Sequence, residues 1–67
     1  MKWHAPSELN KSRYYEIEQD PLVGFYLYVF EDGKCIYDDL QDTLEFAMEC
    51  AWKDYGVRRE TWELVVE

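Results

Sequence analysis

The sequence is poor in the residue types on which many small functional domains depend. Only two of its 67 residues are cysteines, three are glycines and one is a histidine. Two cysteines cannot form the disulfide framework of a small secreted domain. The sequence does not open with positive charge followed by an apolar run, so it predicts no signal peptide. We therefore expect a cytoplasmic protein.

Positive charge is the second shortage. Seven basic residues stand against fifteen acidic ones, and the formal net charge is −8. DNA, RNA and anionic membranes would all repel such a chain, whereas a basic protein would attract it. The sequence also has no run of 18 apolar residues, so it predicts no membrane-spanning helix. We expect the partner to be another protein, either a basic protein or a second copy of this chain. We expect binding to neither nucleic acid nor membrane.

Catalytic and cofactor motifs are the third shortage. The single histidine, His4, lies far from any evident nucleophile, and a lone histidine is typical of a solvated side chain. Each glycine is isolated, so no loop could cradle a phosphate. Asp38, Asp39 and Asp42 form an acidic cluster, for which we expect a capping role; weak divalent-ion binding is the alternative. We predict that the protein is not an enzyme and needs no cofactor.

The strongest positive signal is a β-hairpin that leads into a helix between Gly24 and Gly56. Asp32-Gly33 separates two aromatic and β-branched runs, as in a type I′ turn. A two-residue turn predicts the cross-strand pairs Glu31–Lys34, Phe30–Cys35, Val29–Ile36 and Tyr28–Tyr37. A three-residue loop with a bulge would shift every pair by one residue.

An amphipathic helix follows the hairpin. Asp42 and Glu45 have the spacing of a capping box, with Asp39 as the alternative cap, and Gly56 predicts the left-handed end of the helix. One apolar stripe should pack on the sheet: Leu40, Leu44, Ala47, Met48, Ala51 and Tyr55. Phe46 lies off this stripe, so either the N-terminal residues cover it or it contacts a partner.

Alternation of apolar and polar residues predicts the strand Tyr14–Gln19 and a last strand from Thr61. The uncharged run Phe25–Phe30 predicts a central strand, and Lys34–Tyr37 returns from the hairpin turn as the third strand. We expect one α+β domain over residues 1–67, with a βββαβ topology and strand order 3-2-1-4. The helix should pack on one face of a small antiparallel or mixed sheet. The alternative for residues 58–67 is a second short helix. Residues 1–13 show no periodicity and predict an irregular arm, in which Trp3 covers one edge of the core.

Cys35 and Cys50 are predicted to lie on different elements, a strand and the helix. On the helical wheel, Cys50 points away from the centre of the core. We therefore expect two unpaired thiols.

The chain contains three tryptophans, six tyrosines and three phenylalanines. Tyrosines should gather on the sheet face that the helix leaves uncovered, either as a merely amphipathic face or as a surface that binds another protein or a second copy. The predicted partner-binding residues are Tyr26, Tyr28, Tyr37, Glu16, Glu18, Asp39 and Phe46. The main functional alternative is an acidic inhibitor that covers a basic nucleic-acid-binding or nuclease surface.

Overall fold

A five-stranded antiparallel sheet carries one helix, and the computed structural model describes residues 1–66 of the chain. The elements are β1 (Lys2–Pro6), β2 (Arg13–Asp20), β3 (Gly24–Glu31), β4 (Lys34–Gln41), α1 (Leu44–Tyr55), a 3₁₀ turn (Arg59–Thr61) and β5 (Glu63–Val65). In space the strands follow the order β4-β3-β2-β1-β5. The predicted α+β class, with one helix packed on a small sheet, is confirmed.

The N-terminal segment is a strand, so the prediction of an irregular arm over residues 1–13 was wrong. β1 pairs antiparallel with β2, placing Trp3 opposite Ile17 and Ala5 opposite Tyr15. Five residues that include Ala and Pro have little strand preference of their own. Hydrogen bonds to neighbouring strands on both sides, β2 and β5, define this segment as a strand.

The insertion of β1 also corrects the predicted strand order 3-2-1-4. The last strand was expected beside β2, but β1 occupies that edge, and β5 pairs with β1 instead. Because β5 is antiparallel to β1 and β1 is antiparallel to β2, β5 still runs in the same direction as β2. All neighbouring strands are therefore antiparallel, and the sheet is not mixed. Residues 58–67 were the alternative site of a second short helix. Within them Arg59–Thr61 form the 3₁₀ turn and Glu63–Val65 form β5, while Glu67 lies outside the described residues.

The hairpin turn was predicted correctly, but the register beyond it was not. Asp32 and Gly33 have φ values of 53° and 79°, as a type I′ turn requires. Glu31 faces Lys34 and Phe30 faces Cys35, and then the register shifts, so that Val29 faces Tyr37. Ile36 is the extra residue of this β-bulge. β4 then continues through Asp38 and Asp39 to Gln41, although these acids were expected to end the strand.

The helix begins one residue later than predicted. Thr43 is its N-cap, and the Thr43 hydroxyl accepts a hydrogen bond of 3.1 Å from the backbone N–H of Phe46. Gly56 ends the helix with φ 70°, which confirms the predicted left-handed cap. Val57 follows as a buried core residue, whereas Trp52 is 56% exposed.

The core lies between the helix and one face of the sheet. Its buried residues are Ala5, Tyr15, Ile17, Leu27, Val29, Ala47, Ala51, Val57 and Trp62. Two alanines on the helix, Ala47 and Ala51, allow α1 to approach β2, β3 and β4 closely. Trp3 packs at the margin of this core, 6.0 Å from the Phe25 ring, as its predicted role requires. None of the helical segments in residues 1–66 has the length and apolar character needed to cross a bilayer.

Candidate functional site

The sheet face opposite the helix is here named the open face. Side chains alternate between the two faces along each strand. Ile17, Leu27 and Val29, together with the residues opposite them on neighbouring strands, point to the helix. The residues between them point away from it. Three antiparallel registers then assign the central residues of the open face: Lys2, His4, Tyr14, Glu16, Glu18, Tyr26, Tyr28, Phe30, Asp38 and Leu40.

Four aromatic rings form a continuous row on this face, here named the aromatic row: Tyr26, Tyr28, Phe30 and Tyr14. The ring centroids of Tyr26 and Tyr28 are 5.9 Å apart, and those of Tyr28 and Phe30 are 6.2 Å apart. Tyr14 stacks on Phe30 across the strands, with centroids 4.8 Å apart and ring planes 6° from parallel. Alternate positions of β3 supply three of the rings, and β2 supplies the fourth.

Carboxylates flank the aromatic row on both sides. Glu16 and Glu18 of β2 lie opposite Tyr28 and Tyr26, and Asp38 of β4 lies opposite Tyr28 from the other side. Glu16 is paired, with its oxygens 3.7 Å from both Lys2 Nζ and His4 Nδ1. Among residues 1–66, neither Glu18 nor Asp38 has an ion-pair partner.

The carboxylates contribute to a raised pKa of the Tyr28 hydroxyl. Partial burial raises the pKa of Tyr28 above its ordinary value, and Glu18, Tyr26 and Asp38 raise it further. A negative phenolate would lie close to charges of the same sign, so the neutral phenol is favoured. The same electrostatic field would stabilise a cation placed over the ring.

The structure brings together four of the seven residues predicted to bind a partner: Tyr26, Tyr28, Glu16 and Glu18. Tyr37 and Asp39 lie on the other face, opposite Val29 and Leu27, because the bulge at Ile36 reverses the alternation of β4. The expected pairing of Tyr28 with Tyr37 was therefore wrong.

On the helix side, the Tyr37 ring lies 6.2 Å from that of Tyr55. The nearby Asp39 carboxylate, followed by partial burial, raises the pKa of Tyr37. Asp39 accepts a hydrogen bond of 2.7 Å from Gln41 Nε2. Phe46 lies on the helix and is 57% exposed, so the N-terminal residues do not bury it.

Six residues of the open face did not appear among the predicted site residues: Lys2, His4, Tyr14, Phe30, Asp38 and Leu40. Leu40, expected on the apolar stripe of the helix, belongs to β4 and lies opposite Tyr26. Lys2 and His4 belong to β1, and the short alternation of Lys2, His4 and Pro6 against Trp3 and Ala5 was the only sequence signal for it. The bulge places Asp38 on the open face, where Asp39 was expected. The sequence carries no marker of the bulge, such as a glycine.

A concave surface, separate from the open face, lies between α1 and the 3₁₀ turn. It encloses about 460 Å³ and is lined by Glu45, Met48, Glu49, Trp52, Arg58, Arg59 and Glu60. Its arginines are already engaged: Arg58 is 2.6 Å from Glu8, and Arg59 is 3.9 Å from Glu45. Three glutamates and two arginines line this surface, so charges of both signs lie side by side there.

Within residues 1–66, no three His, Cys, Asp or Glu side chains are grouped so that they could hold a metal ion. Asp38 and Asp39 are adjacent on one strand and point to opposite faces of the sheet. His4 faces Glu16, and its ring lies 5.4 Å from the Tyr14 ring.

Comparisons with known proteins add no assignment: a scan against protein-family models, a search of curated proteins and a search of solved structures each find no match.

Proposed function

We propose that this protein is a non-catalytic interaction domain that binds another protein through the open face of its sheet. One observation carries the proposal: the aromatic row lies on the face opposite the helix, outside the core. Four adjacent rings spaced 4.8–6.2 Å apart form one contiguous surface. All four side chains are half-buried. A contiguous apolar patch that the fold leaves accessible to water often marks an interaction site.

Tyrosine and phenylalanine suit such a surface energetically. An aromatic ring offers a large contact area and has only two side-chain torsions to immobilise, so the entropic cost of ordering it is low. Aromatic residues are accordingly enriched at the cores of protein interfaces, and truncating them often causes the largest losses of affinity. The tyrosine hydroxyls also explain how the open face tolerates contact with water.

The partner is a different, basic protein and not a second copy of this chain. Two copies joined through their open faces would bring Glu18 and Asp38 of each chain together, and each chain has a net charge of −8. Like charges placed against one another disfavour association and slow the encounter. A basic surface would gain from the same charges.

The second candidate function is an acidic inhibitor that covers a nucleic-acid-binding or nuclease surface. The charge of −8 favours it, because a surface that binds phosphates is rich in Lys and Arg. Here the association would depend on long-range steering, and so it would weaken strongly as salt rises.

The test compares one substitution on the two faces of the sheet. Proteins from the source cell are captured on the wild-type protein, identified by mass spectrometry, purified and measured against Tyr28→Ser and Tyr37→Ser. We expect Tyr28→Ser to weaken binding about tenfold or more, since interface aromatics commonly contribute ~1–2 kcal/mol. Tyr37→Ser, on the other face, should change the affinity less than about twofold.

Circular dichroism verifies that both variants are folded. Equal losses for the two variants, or full binding by Tyr28→Ser, would contradict the proposal. Self-association detected by sedimentation and lost in Tyr28→Ser would replace the basic partner with a second copy.

Salt dependence separates the two candidate functions. The quadruple variant Glu16→Gln, Glu18→Gln, Asp38→Asn, Asp39→Asn should slow association strongly and flatten its salt dependence if charge dominates, as it would for the inhibitor. If the aromatic row dominates, the dissociation rate of Tyr28→Ser should increase at every salt concentration.

A further inference from the structure

Two tyrosines of the aromatic row each have a free carboxylate as a cross-strand neighbour. Tyr26 lies opposite Glu18 on β2, and Tyr28 lies opposite Asp38 on β4, so the acids stand on opposite flanks of the pair. The two rings are 5.9 Å apart and within 18° of parallel. Glu18 and Asp38 are exposed and form no ion pair within residues 1–66.

The same protein contains this combination of groups with its cation in place. On the helix side, the guanidinium carbon of Arg13 lies 5.7 Å from the centroid of the Tyr55 ring. Arg13 also donates two hydrogen bonds to Glu31 Oε1, of 3.2 Å from Nε and 2.9 Å from Nη2. One guanidinium there contacts a tyrosine face and a carboxylate at once. On the open face, a tyrosine pair and two carboxylates are present without an arginine.

We propose that Tyr26, Tyr28, Glu18 and Asp38 form a site that recognises arginine side chains of the partner protein. This inference rests on the proposed function, because it names the chemistry that the open face binds. A guanidinium stacks on a tyrosine ring through its flat face and donates paired N–H groups to a carboxylate from its edge. These four residues offer both kinds of contact within one patch.

Arginine fits this site better than lysine for two reasons. Its planar group can contact a ring and a carboxylate simultaneously, whereas an ammonium is a compact charge that stays strongly hydrated. Lys2 lies opposite Glu18 across the β1–β2 pair, but its ammonium group pairs with Glu16 and forms no ion pair with Glu18. The site therefore retains its negative charge for a partner.

The spacing of the rings indicates a suitable probe. Alternate residues of an extended peptide lie about 6.6–6.8 Å apart on one side, close to the 5.9 Å between the Tyr26 and Tyr28 rings. The probe is a short peptide in which arginine alternates with glycine. Matched peptides carry lysine, or citrulline, which has nearly the shape of arginine without its charge.

The measurement is a titration of isotopically labelled protein, followed by nuclear magnetic resonance. The arginine peptide should shift the signals of Glu18, Tyr26, Tyr28 and Asp38, and it should bind about threefold or more tightly than the lysine peptide. The citrulline peptide should not bind. Equal affinity for arginine and lysine, or shifts that map to the surface between α1 and the 3₁₀ turn, would overturn the inference.

A pair of charge variants distinguishes this site from general attraction to an acidic protein. Glu18→Gln with Asp38→Asn should weaken the arginine peptide about fivefold or more. Glu49→Gln with Asp54→Asn makes the same change of net charge on the helix, and should change the affinity less than about twofold. Equal losses for the two pairs would also overturn the inference.

Failure of this inference is distinguishable from failure of the proposed function. If the natural partner depends on Tyr28 but the arginine peptide does not bind, the arginine site is wrong and the interaction face stands. If the partner is indifferent to Tyr28, Glu18 and Asp38 together, both proposals are overturned. If both the partner and the peptide depend on the same four residues, both are supported.

Discussion

The two faces of this sheet come from the same strands but have opposite chemistry. The helix side of β2 and β3 presents Ile17, Leu27 and Val29, each at most 1% exposed. The residues between them place tyrosines and carboxylates on the open face. The helix α1 packs on one face of the sheet, and the side chains of the other face are in contact with water. Alternation along each strand therefore separates the residues that form the core from those proposed to bind a partner.

The largest expected effect is a loss of stability, and it is tested by truncating two adjacent residues of β3 that point to opposite faces. Leu27→Ala should lower the free energy of unfolding by about 2–5 kcal/mol, because it leaves a cavity in the core. Tyr28→Ser should lower it by about 1 kcal/mol or less, since only cross-strand contacts are lost. Chemical denaturation followed by circular dichroism measures both.

If Leu27→Ala does not fold, Ile17→Val provides the measurement, with an expected loss of about 1 kcal/mol. A loss for Tyr28→Ser as large as that for Leu27→Ala would mean that the open face also belongs to the core.

A smaller effect should appear at alkaline pH. The pKa of Tyr28 is raised in the folded state, mainly by burial and then by Glu18 and its neighbours. Its stabilising contribution is complete below the unfolded tyrosine pKa of about 10, and is lost as pH rises through the higher folded value. Stability should therefore fall above about pH 10, and less steeply in Tyr28→Phe.

Denaturation midpoints at a series of pH values test this expectation. Glu18→Gln should lower the Tyr28 pKa only in part, because burial is its largest cause. An unchanged pH dependence in Tyr28→Phe would leave Tyr55 and Tyr37, whose pKa values are also raised, as the source of the loss.

The smallest effect concerns the thiols, which lie on the two sides of the sheet. Cys35 faces the open side opposite Phe30, whereas Cys50 packs against the core, contrary to the direction expected from the helical wheel. Burial, followed by Asp39 and Asp54, raises the pKa of the Cys50 thiol. Iodoacetamide near neutral pH should therefore modify Cys35 faster than Cys50, with little change in stability.

Mass spectrometry of partly modified protein gives the order of reaction. Both cysteines are free in the structure, in agreement with the sequence prediction. Faster modification of Cys50, or a native mass two units below that of the reduced protein, would contradict the assignment of the two thiols to opposite faces.

Local signals accounted for the predictions that succeeded. Asp32-Gly33 favours one turn type through its backbone torsions alone, and Gly56 ends the helix for the same reason. The alternation of β2 and β3 correctly placed Tyr26, Tyr28, Glu16 and Glu18 on one face. The Thr43 cap was missed because Asp42 has equally good capping chemistry one residue earlier.

The amino-acid sequence by itself determined the acidic charge, the hairpin turn, the end of the helix and the two-faced pattern of the central strands. Each depends on neighbouring residues and their torsional preferences. Only the tertiary structure decided that Lys2–Pro6 is a strand, that a bulge at Ile36 moves Tyr37 and Asp39 to the helix side, and that β5 pairs with β1. The strand Lys2–Pro6 and the position of β5 depend on hydrogen bonds between segments distant in the chain, whose energy appears only when the strands meet. The bulge lies within the hairpin, where the turn residues alone do not determine the pairing farther along the strands.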